Sequence, residues 1–309
     1  MAATAIAATA GEDGGSSSAS APAPAAAGPV VTRFAPSPSG YLHLGHAFAA
    51  LFAWKRAQET GGTFLLRIED SDIQRSRPGF VTALMEDLAW LGLRWPEPVR
   101  YQSAHGADYQ AALDQLQAQG VLYPCFCTRK TIQEEIARAA QAPHGPEEHL
   151  YPGLCRHLPV AERGQRLASG QPYVLRLDLA AAQARSGPLF WQDRQHGRQQ
   201  ARPQLLGDVV LARKDAPASY HLSVVVDDAR QGVTLVTRGV DLFAATHLHR
   251  LLQALLGLPT PDYQHHPLVT DASGRRLAKR DQAQTLRSLR HAGLSPAALH
   301  HRLADRFGL

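Results

Sequence analysis

Lysine, cysteine and methionine are scarce in this chain of 309 residues, and each scarcity narrows what the protein can be. Three cysteines cannot staple a small secreted scaffold, so a reducing, cytoplasmic setting is expected. No apolar run reaches the roughly eighteen residues of a membrane-spanning helix, and no membrane partner is expected. No basic residue precedes Arg33, which speaks against a secretory n-region and an Arg-rich transit peptide. Lys55, Lys130, Lys214 and Lys279 are the only lysines, so arginine supplies most of the cationic charge behind the net +5. That balance is compatible with a polyanionic partner without deciding one. Apolar residues are plentiful at 44%, enough for a sizeable core and too many for a fully disordered chain.

Residues 1–29 consist largely of Ala, Gly, Ser and Pro, and with so little to bury they are expected to form a disordered tail. Val30–Phe34 reads as a short buried strand, followed by the turn-rich Ala35-Pro36-Ser37-Pro38-Ser39-Gly40. Ala47–Thr60 places Phe48, Leu51, Phe52 and Trp54 at helical spacing, and Gly61-Gly62 stops it. Thr63–Ile68 reads as a second strand, so a right-handed crossover onto a parallel sheet is expected. Pro78 opens a helix with Phe80, Leu84, Leu88 and Leu91 on one face. Tyr173–Leu179 alternates like a half-buried strand, and residues 181–204 are polar. Beyond Asp208, the runs Val209–Ala212, Leu222–Val226 and Val233–Thr237 read as strands, and Thr246–Leu256 as an amphipathic helix closed by Gly257. The expected architecture is one α/β domain, with its first half at 30–120, an insertion at 121–204 and its second half at 205–309.

Three stretches carry chemistry together: Arg33–His46, Arg67-Ile68-Glu69-Asp70, and Arg275–Arg280. The first links a strand to a helix start. There His43 and His46 share a face, and Gly45 between them permits close backbone approach. A helix N-terminus offers N–H groups and positive potential to a phosphate, and Lys279 adds a charge from a loop. Each piece alone has a plainer reading: a surface histidine pair, a solvated basic face, a strand end with exposed carboxylates.

In this order, the stretches resemble the signature regions of the class I glutamyl-tRNA synthetases. Arg33–His46 is similar to their HIGH region, Arg67–Asp70 to the strand that follows, and Arg276–Arg280 to their KMSKS loop. Val224–Asp228 and Thr237–Asp241 extend the resemblance over residues 30–290. The chain most resembles the short glutamyl-Q tRNA(Asp) synthetase branch, since Leu309 follows Arg280 too soon for a helical anticodon-binding domain. The resemblance implies a Rossmann-like parallel sheet of the class I catalytic domain, interrupted by a zinc-containing insertion. It implies a ligase that binds L-glutamate through Arg33, Phe34, Ala35, Pro36, Ser37, Glu69, Tyr220 and Arg238. The two arginines suit two carboxylates, Glu69 the ammonium, and Tyr220 adds a hydroxyl. A salt bridge to Asp241 or a nearby carboxylate is the other reading of Arg238. ATP, entering with Mg²⁺, is expected at His43, Gly45, His46 and Lys279, with the histidines stabilising the pentacoordinate phosphorus and Lys279 holding the leaving pyrophosphate. Arg276, Ala278 and Arg280 depart from KMSKS, which leaves the rate of activation open. Asp227-Asp228 is expected either to touch metal or ribose or to serve structure at a strand end.

Cys125, Cys127 and Cys155 fall in one window, and three thiolates with one further ligand suit tetrahedral zinc. General chemistry favours His144, His149 or His157 as the fourth ligand, the resemblance favours Tyr151, and three buried free cysteines are the plainer reading. The implied acceptor is queuosine at the wobble position of tRNA(Asp), with Arg250, Arg275, Arg287 and Arg290 offered to its backbone. Alternatives are a truncated glutamyl-tRNA synthetase charging the 3′ end of tRNA(Glu), and a catalytically idle RNA-binding module. A monomer is the default expectation.

Overall fold

The computed structural model describes residues 28–132, 150–213, 218–270 and 284–309. The 275–280 loop with Lys279, the residues His144 and His149, and nearly all of the expected tail lie outside them.

β1 (Val31–Phe34), α1 (Leu44–Gln58) and β2 (Thr63–Ile68) form the expected β-loop-α-β unit, with β1 parallel to β2 and Arg33 opposite Leu65. A Cβ on Gly62 would lie 2.0 Å from the Val30 carbonyl oxygen, so this close approach requires glycine. α1 buries Phe48, Leu51 and Phe52 against the sheet. Pro78 opens α2 (Pro78–Trp90), which buries Leu84 and Leu88, and β3 (Arg100–Tyr101) joins β2 in parallel. After α3 (Gly106–Ala118), β4 (Leu122–Cys125) begins a separate antiparallel sheet with β5 (Val174–Leu177) and β8 (Val210–Arg213). α4 (Val160–Ala168) precedes β5, and α5 (Leu179–Ser186) follows it. The strand expected over Tyr173–Leu179 is shorter, Val174–Leu177. Asp178 ends the strand by accepting from the Ala181 amide, and Leu179 opens a helix.

β6 (Phe190–Asp193) and β7 (Gly197–Gln200) form a hairpin in the polar 181–204 stretch. The hairpin docks on β10 (Asp262–His266), which runs parallel to β9 (Leu235–Gly239). Strand pairing therefore crosses the 204 boundary drawn from sequence: the hairpin joins the parallel side, and β8 joins the antiparallel sheet. The Thr234 amide donates to the Val31 carbonyl (3.0 Å), and the Val31 amide to Thr234 Oγ1 (2.9 Å), which sets β9 beside β1. The spatial order is thus β3-β2-β1-β9-β10. The winding reverses between β1 and β9, and open α/β sheets leave a crevice at such a point.

Leu222–Val226 is not a strand. It lies in α6 (Tyr220–Arg230), in which every residue from Leu222 to Asp228 is buried. α6 packs on α3 and on α7 (Phe243–Leu256), and a helix covered on several sides shows no amphipathic period. Its valines then read as β-formers. Asp227 and Asp228 accordingly sit on a helix, not at a strand end. α8 (Leu286–His291) and α9 (Pro296–Phe307) complete the described chain, and the Leu286 amide donates to the Leu42 carbonyl (2.8 Å) beside the β1–α1 connection. No described helix is long and apolar enough to cross a membrane.

The two aspartates fasten α6 to three strands. Asp228 accepts from Arg33 Nε (3.0 Å) and Nη2 (3.3 Å) and from Arg67 Nη1 (2.7 Å). Asp227 accepts from Arg100 Nε (2.7 Å), Gln102 (2.8 Å) and the Tyr109 hydroxyl (3.0 Å). Burial would push the Asp228 carboxyl up, but Arg33 and Arg67 outweigh it and hold it below the usual carboxylate range. Asp228→Ala leaves two buried guanidinium groups without this counter-charge. It is expected to lower stability by about 3–5 kcal/mol, read from urea unfolding.

Candidate active site

A cleft of about 300 Å³ opens where β1 and β9 end. Arg33, Phe34 and Ala35 line it from β1 and the loop after it, and Glu69 from just past the end of β2. Arg238 lines it from β9, Tyr220 from the first turn of α6, and His43, Gly45 and His46 from the start of α1. Pro36 and Ser37 lie on the same connection without lining the cleft, and the Pro36 carbonyl accepts from the Glu69 amide (3.0 Å).

The two cleft arginines are compensated differently. Arg33 is clamped by Asp228 and gives Nη1 to the Thr237 carbonyl (3.1 Å). Arg238 is equally buried, but its partners are neutral: Thr246 Oγ1 (2.6 Å), His249 Nδ1 (3.1 Å), His265 Nε2 (3.2 Å) and the Tyr220 hydroxyl (3.5 Å). No ion pair among the described residues includes Arg238, so the alternative salt bridge to Asp241 is not formed there. Arg238 therefore presents most of its charge to the cleft. Glu69 accepts from Arg67 Nη2 (3.3 Å). Burial pushes its carboxyl above the usual range, against the pull of Arg67 and Arg33. A carboxylate so placed gains from a cation beside it.

His43 and His46 cap α1 reciprocally. The Gly45 amide donates to His43 Nδ1 (3.1 Å), and the His43 amide donates to His46 Nδ1 (3.2 Å). With Nδ1 accepting, the neutral rings carry their protons on Nε2. The rings lie 3.8 Å apart between centroids. A Cβ on Gly45 would stand 3.0 Å from His43 Cε1, so the glycine makes room for the histidine ring as well as bordering the cleft.

Sequence reading passed over several groups gathered here. Thr237 Oγ1 and His266 Nε2 are buried, line the cleft and meet no partner among the described residues. His249, Thr246 and His265 surround Arg238, and Asp193 stands behind His265. The pair His265-His266 within an otherwise strand-like run was the one visible signal, since buried histidines on a central strand need partners.

Cys125, Cys127 and Cys155 bring their sulfurs within 4.8 Å of one another. The Tyr151 hydroxyl stands 3.3 Å from Cys125 Sγ and 3.5 Å from Cys127 Sγ, and accepts from the Cys155 amide (2.9 Å). Sulfurs around tetrahedral zinc stand about 3.8 Å apart, so this donor set fits the ion with small displacements. Cys127 and Cys155, at 3.4 Å, are already closer than that. His157 instead accepts from Arg156 Nε (3.3 Å).

The family model for the catalytic domain of class I tRNA synthetases (E and Q) matches residues 29–309. Glutamyl-Q tRNA(Asp) synthetase of Rhodobacter capsulatus is 50% identical over 277 residues, covering 87% of this chain and 97% of the relative. That of Nocardia farcinica is 47% identical over 277 residues, covering 90% of this chain and 84% of the relative. A solved glutamate tRNA ligase from Elizabethkingia meningosepticum, in complex with its amino acid, superposes with a TM-score of 0.74 at 28% identity. The match covers 89% of this chain and 60% of that one, so the chain spans about three fifths of the solved ligase. By its catalytic-domain match and its close full-length relatives, this chain belongs to the class I glutamyl- and glutaminyl-tRNA synthetase family, in its glutamyl-Q tRNA(Asp) synthetase branch.

Proposed function

We propose that this chain activates L-glutamate with ATP as glutamyl-adenylate, without tRNA, and transfers the glutamyl group to queuosine at the wobble position of tRNA(Asp). The observation that carries this reading is the convergence of two buried guanidinium groups and one half-buried carboxylate in a single cleft, beside the start of α1. Free glutamate carries the inverse set, two carboxylates and one ammonium. The protein engages three N–H groups of Arg33 and four of Arg238. A guanidinium has five, which leaves donors for ligand carboxylates on both.

In the first step an oxygen of the α-carboxylate attacks the α-phosphorus in line, and the bond to the departing pyrophosphate breaks. In the second, an acceptor hydroxyl attacks the acyl carbon and AMP leaves. No enzyme nucleophile takes part, so catalysis rests on positioning and charge. The Nε2–H groups of His43 and His46 meet the charge that builds on the phosphoryl oxygens. Lys279, outside the described residues, keeps its reading as a holder of the pyrophosphate. Mg²⁺ arrives with ATP. We assign one structural zinc to Cys125, Cys127, Tyr151 and Cys155; when bound, it ties the end of β4 to the turn at 151–155. We place the enzyme in the cytoplasm as a monomer, with the sheet β4-β5-β8 supporting the RNA.

The decisive experiment combines two assays. Glutamate-dependent pyrophosphate exchange is expected without tRNA, and its absence would favour an idle module. Transfer is expected to tRNA(Asp) carrying queuosine and not to tRNA(Asp) lacking it; charging of tRNA(Glu) instead would overturn the acceptor assignment.

Glu69 sets a pH dependence. It must be ionised to receive the ammonium, and its raised pKa lets it take up a proton at a higher pH than an exposed carboxylate. The KM for glutamate is therefore expected to be flat above that pKa and to climb as pH falls through it. Glu69→Gln should raise KM about tenfold or more and flatten the slope. A slope that survives the substitution would assign it elsewhere.

For the metal, emission spectrometry should find about one zinc per chain. Cys125→Ser should lose most of it. Tyr151→Phe should hold zinc more weakly against a chelator, whereas unchanged retention would return the fourth position to a histidine.

A further inference from the structure

Asp193 lies in the β6–β7 hairpin, does not itself line the cleft, and is fully buried. Its Oδ1 accepts from the amides of Gln195 (2.8 Å) and His196 (2.9 Å), which closes the hairpin turn. Its Oδ2 accepts from the Nδ1 of His265 (2.6 Å), across the β6–β10 junction. With its proton on Nδ1, the neutral imidazole presents a lone pair at Nε2, and Arg238 Nε–H points at that atom from 3.2 Å. A second imidazole does the same from another side. His249 Nδ1 accepts from Arg238 Nη1 (3.1 Å), and its Nε2 faces His221 Nδ1 (3.1 Å). Burial, with the Arg238 charge adding to it, pulls the pKa of His265 down to about 4 and that of His249 well below the usual range. Both rings are therefore neutral near pH 7.

We propose that Asp193 is a positioning residue for amino-acid recognition: through His265 it fixes the orientation of Arg238 while leaving that guanidinium's charge to a ligand carboxylate. This inference rests on the reading of the cleft as a glutamate site and deepens it. A carboxylate placed directly on Arg238 would hold the fork equally well, but it would cancel the charge, as Asp228 does for Arg33. Inserting one neutral ring keeps the hydrogen bond and moves the counter-charge a ring's width away. The site then demands an anion at Arg238 and rejects a neutral analogue, whose binding would leave a buried cation poorly compensated. Without the Asp193 oxygen, His265 loses the partner that selects its tautomer. A ring with its proton on Nε2 would set donor against donor at Arg238.

The test is Asp193→Asn. Its amide satisfies either the hairpin amides or His265 with an oxygen, but not both. The glutamate KM in pyrophosphate exchange is expected to rise about 10- to 100-fold while the ATP KM stays within about twofold. Competition by glutamine and by glutamol, each lacking one carboxylate, supplies a readout that a merely structural role would not move. In the wild-type enzyme both analogues should bind far more weakly than glutamate. In the variant the penalty should shrink for the one analogue that lacks the carboxylate facing Arg238, and stay for the other. If Asp193→Asn fails to fold, His265→Asn serves instead: it keeps a donor toward Asp193, removes the acceptor at Arg238, and should show the same selective loss. A folded variant with unchanged glutamate KM, or with both penalties altered alike, overturns the relay. Absence of glutamate-dependent exchange in the wild-type enzyme would instead overturn the glutamate reading itself.

Discussion

Asp228 is held inside the molecule between the guanidinium groups of Arg33 and Arg67, and the placement of the cleft follows from that contact. Burying a carboxylate and two cations is unfavourable unless each satisfies the others. Once they do, α6 cannot shift relative to β1 and β2. Tyr220 at one end of α6 and Arg33 on β1 thereby acquire a common frame, although they are far apart in the chain. Asp227, the residue before it, repeats the device with Arg100, Gln102 and Tyr109, and carries the same rigidity out to β3.

The cleft thus holds two arginines of unequal character. Arg33 is largely spent on structure, and its residual N–H groups offer geometry more than net charge. Arg238 is surrounded by neutral oxygen and nitrogen acceptors and offers charge. Glu69 is the complementary case, a carboxylate raised by burial that gains from a cation. A zwitterionic ligand of matching polarity relieves both at once. That asymmetry, more than the number of polar groups, sets the polarity of ligand the cleft suits.

Local pattern made the first βαβ unit legible, because Phe48, Leu51 and Phe52 repeat at helical spacing and Gly61-Gly62 ends the helix cleanly. It failed at Leu222–Val226, where burial on several sides erased the period and the valines favoured the wrong element. The β6–β7 hairpin was invisible for the opposite reason: its exposed face is Gln- and Arg-rich, and only Trp191 and Asp193 turn inward. Arg33, Glu69, Tyr220 and Arg238 could be named in advance only through resemblance, and the fold does bring all four to one cleft. Asp193 could not be named, since its meaning depends on a contact with His265 that exists only once β6 has docked on β10.

The reciprocal cap at the start of α1 has a consequence for how this fold can vary. The two imidazoles that line the cleft at the start of α1 also terminate the helix, each through the same ring nitrogen that decides where its proton sits. Helix nucleation and the proton donor each ring turns toward the cleft are thereby written into one pair of atoms. A replacement that keeps only the cap or only the proton donor satisfies half of the demand. Drift at either position is restrained twice over, and a loss of turnover there reports on folding and chemistry together.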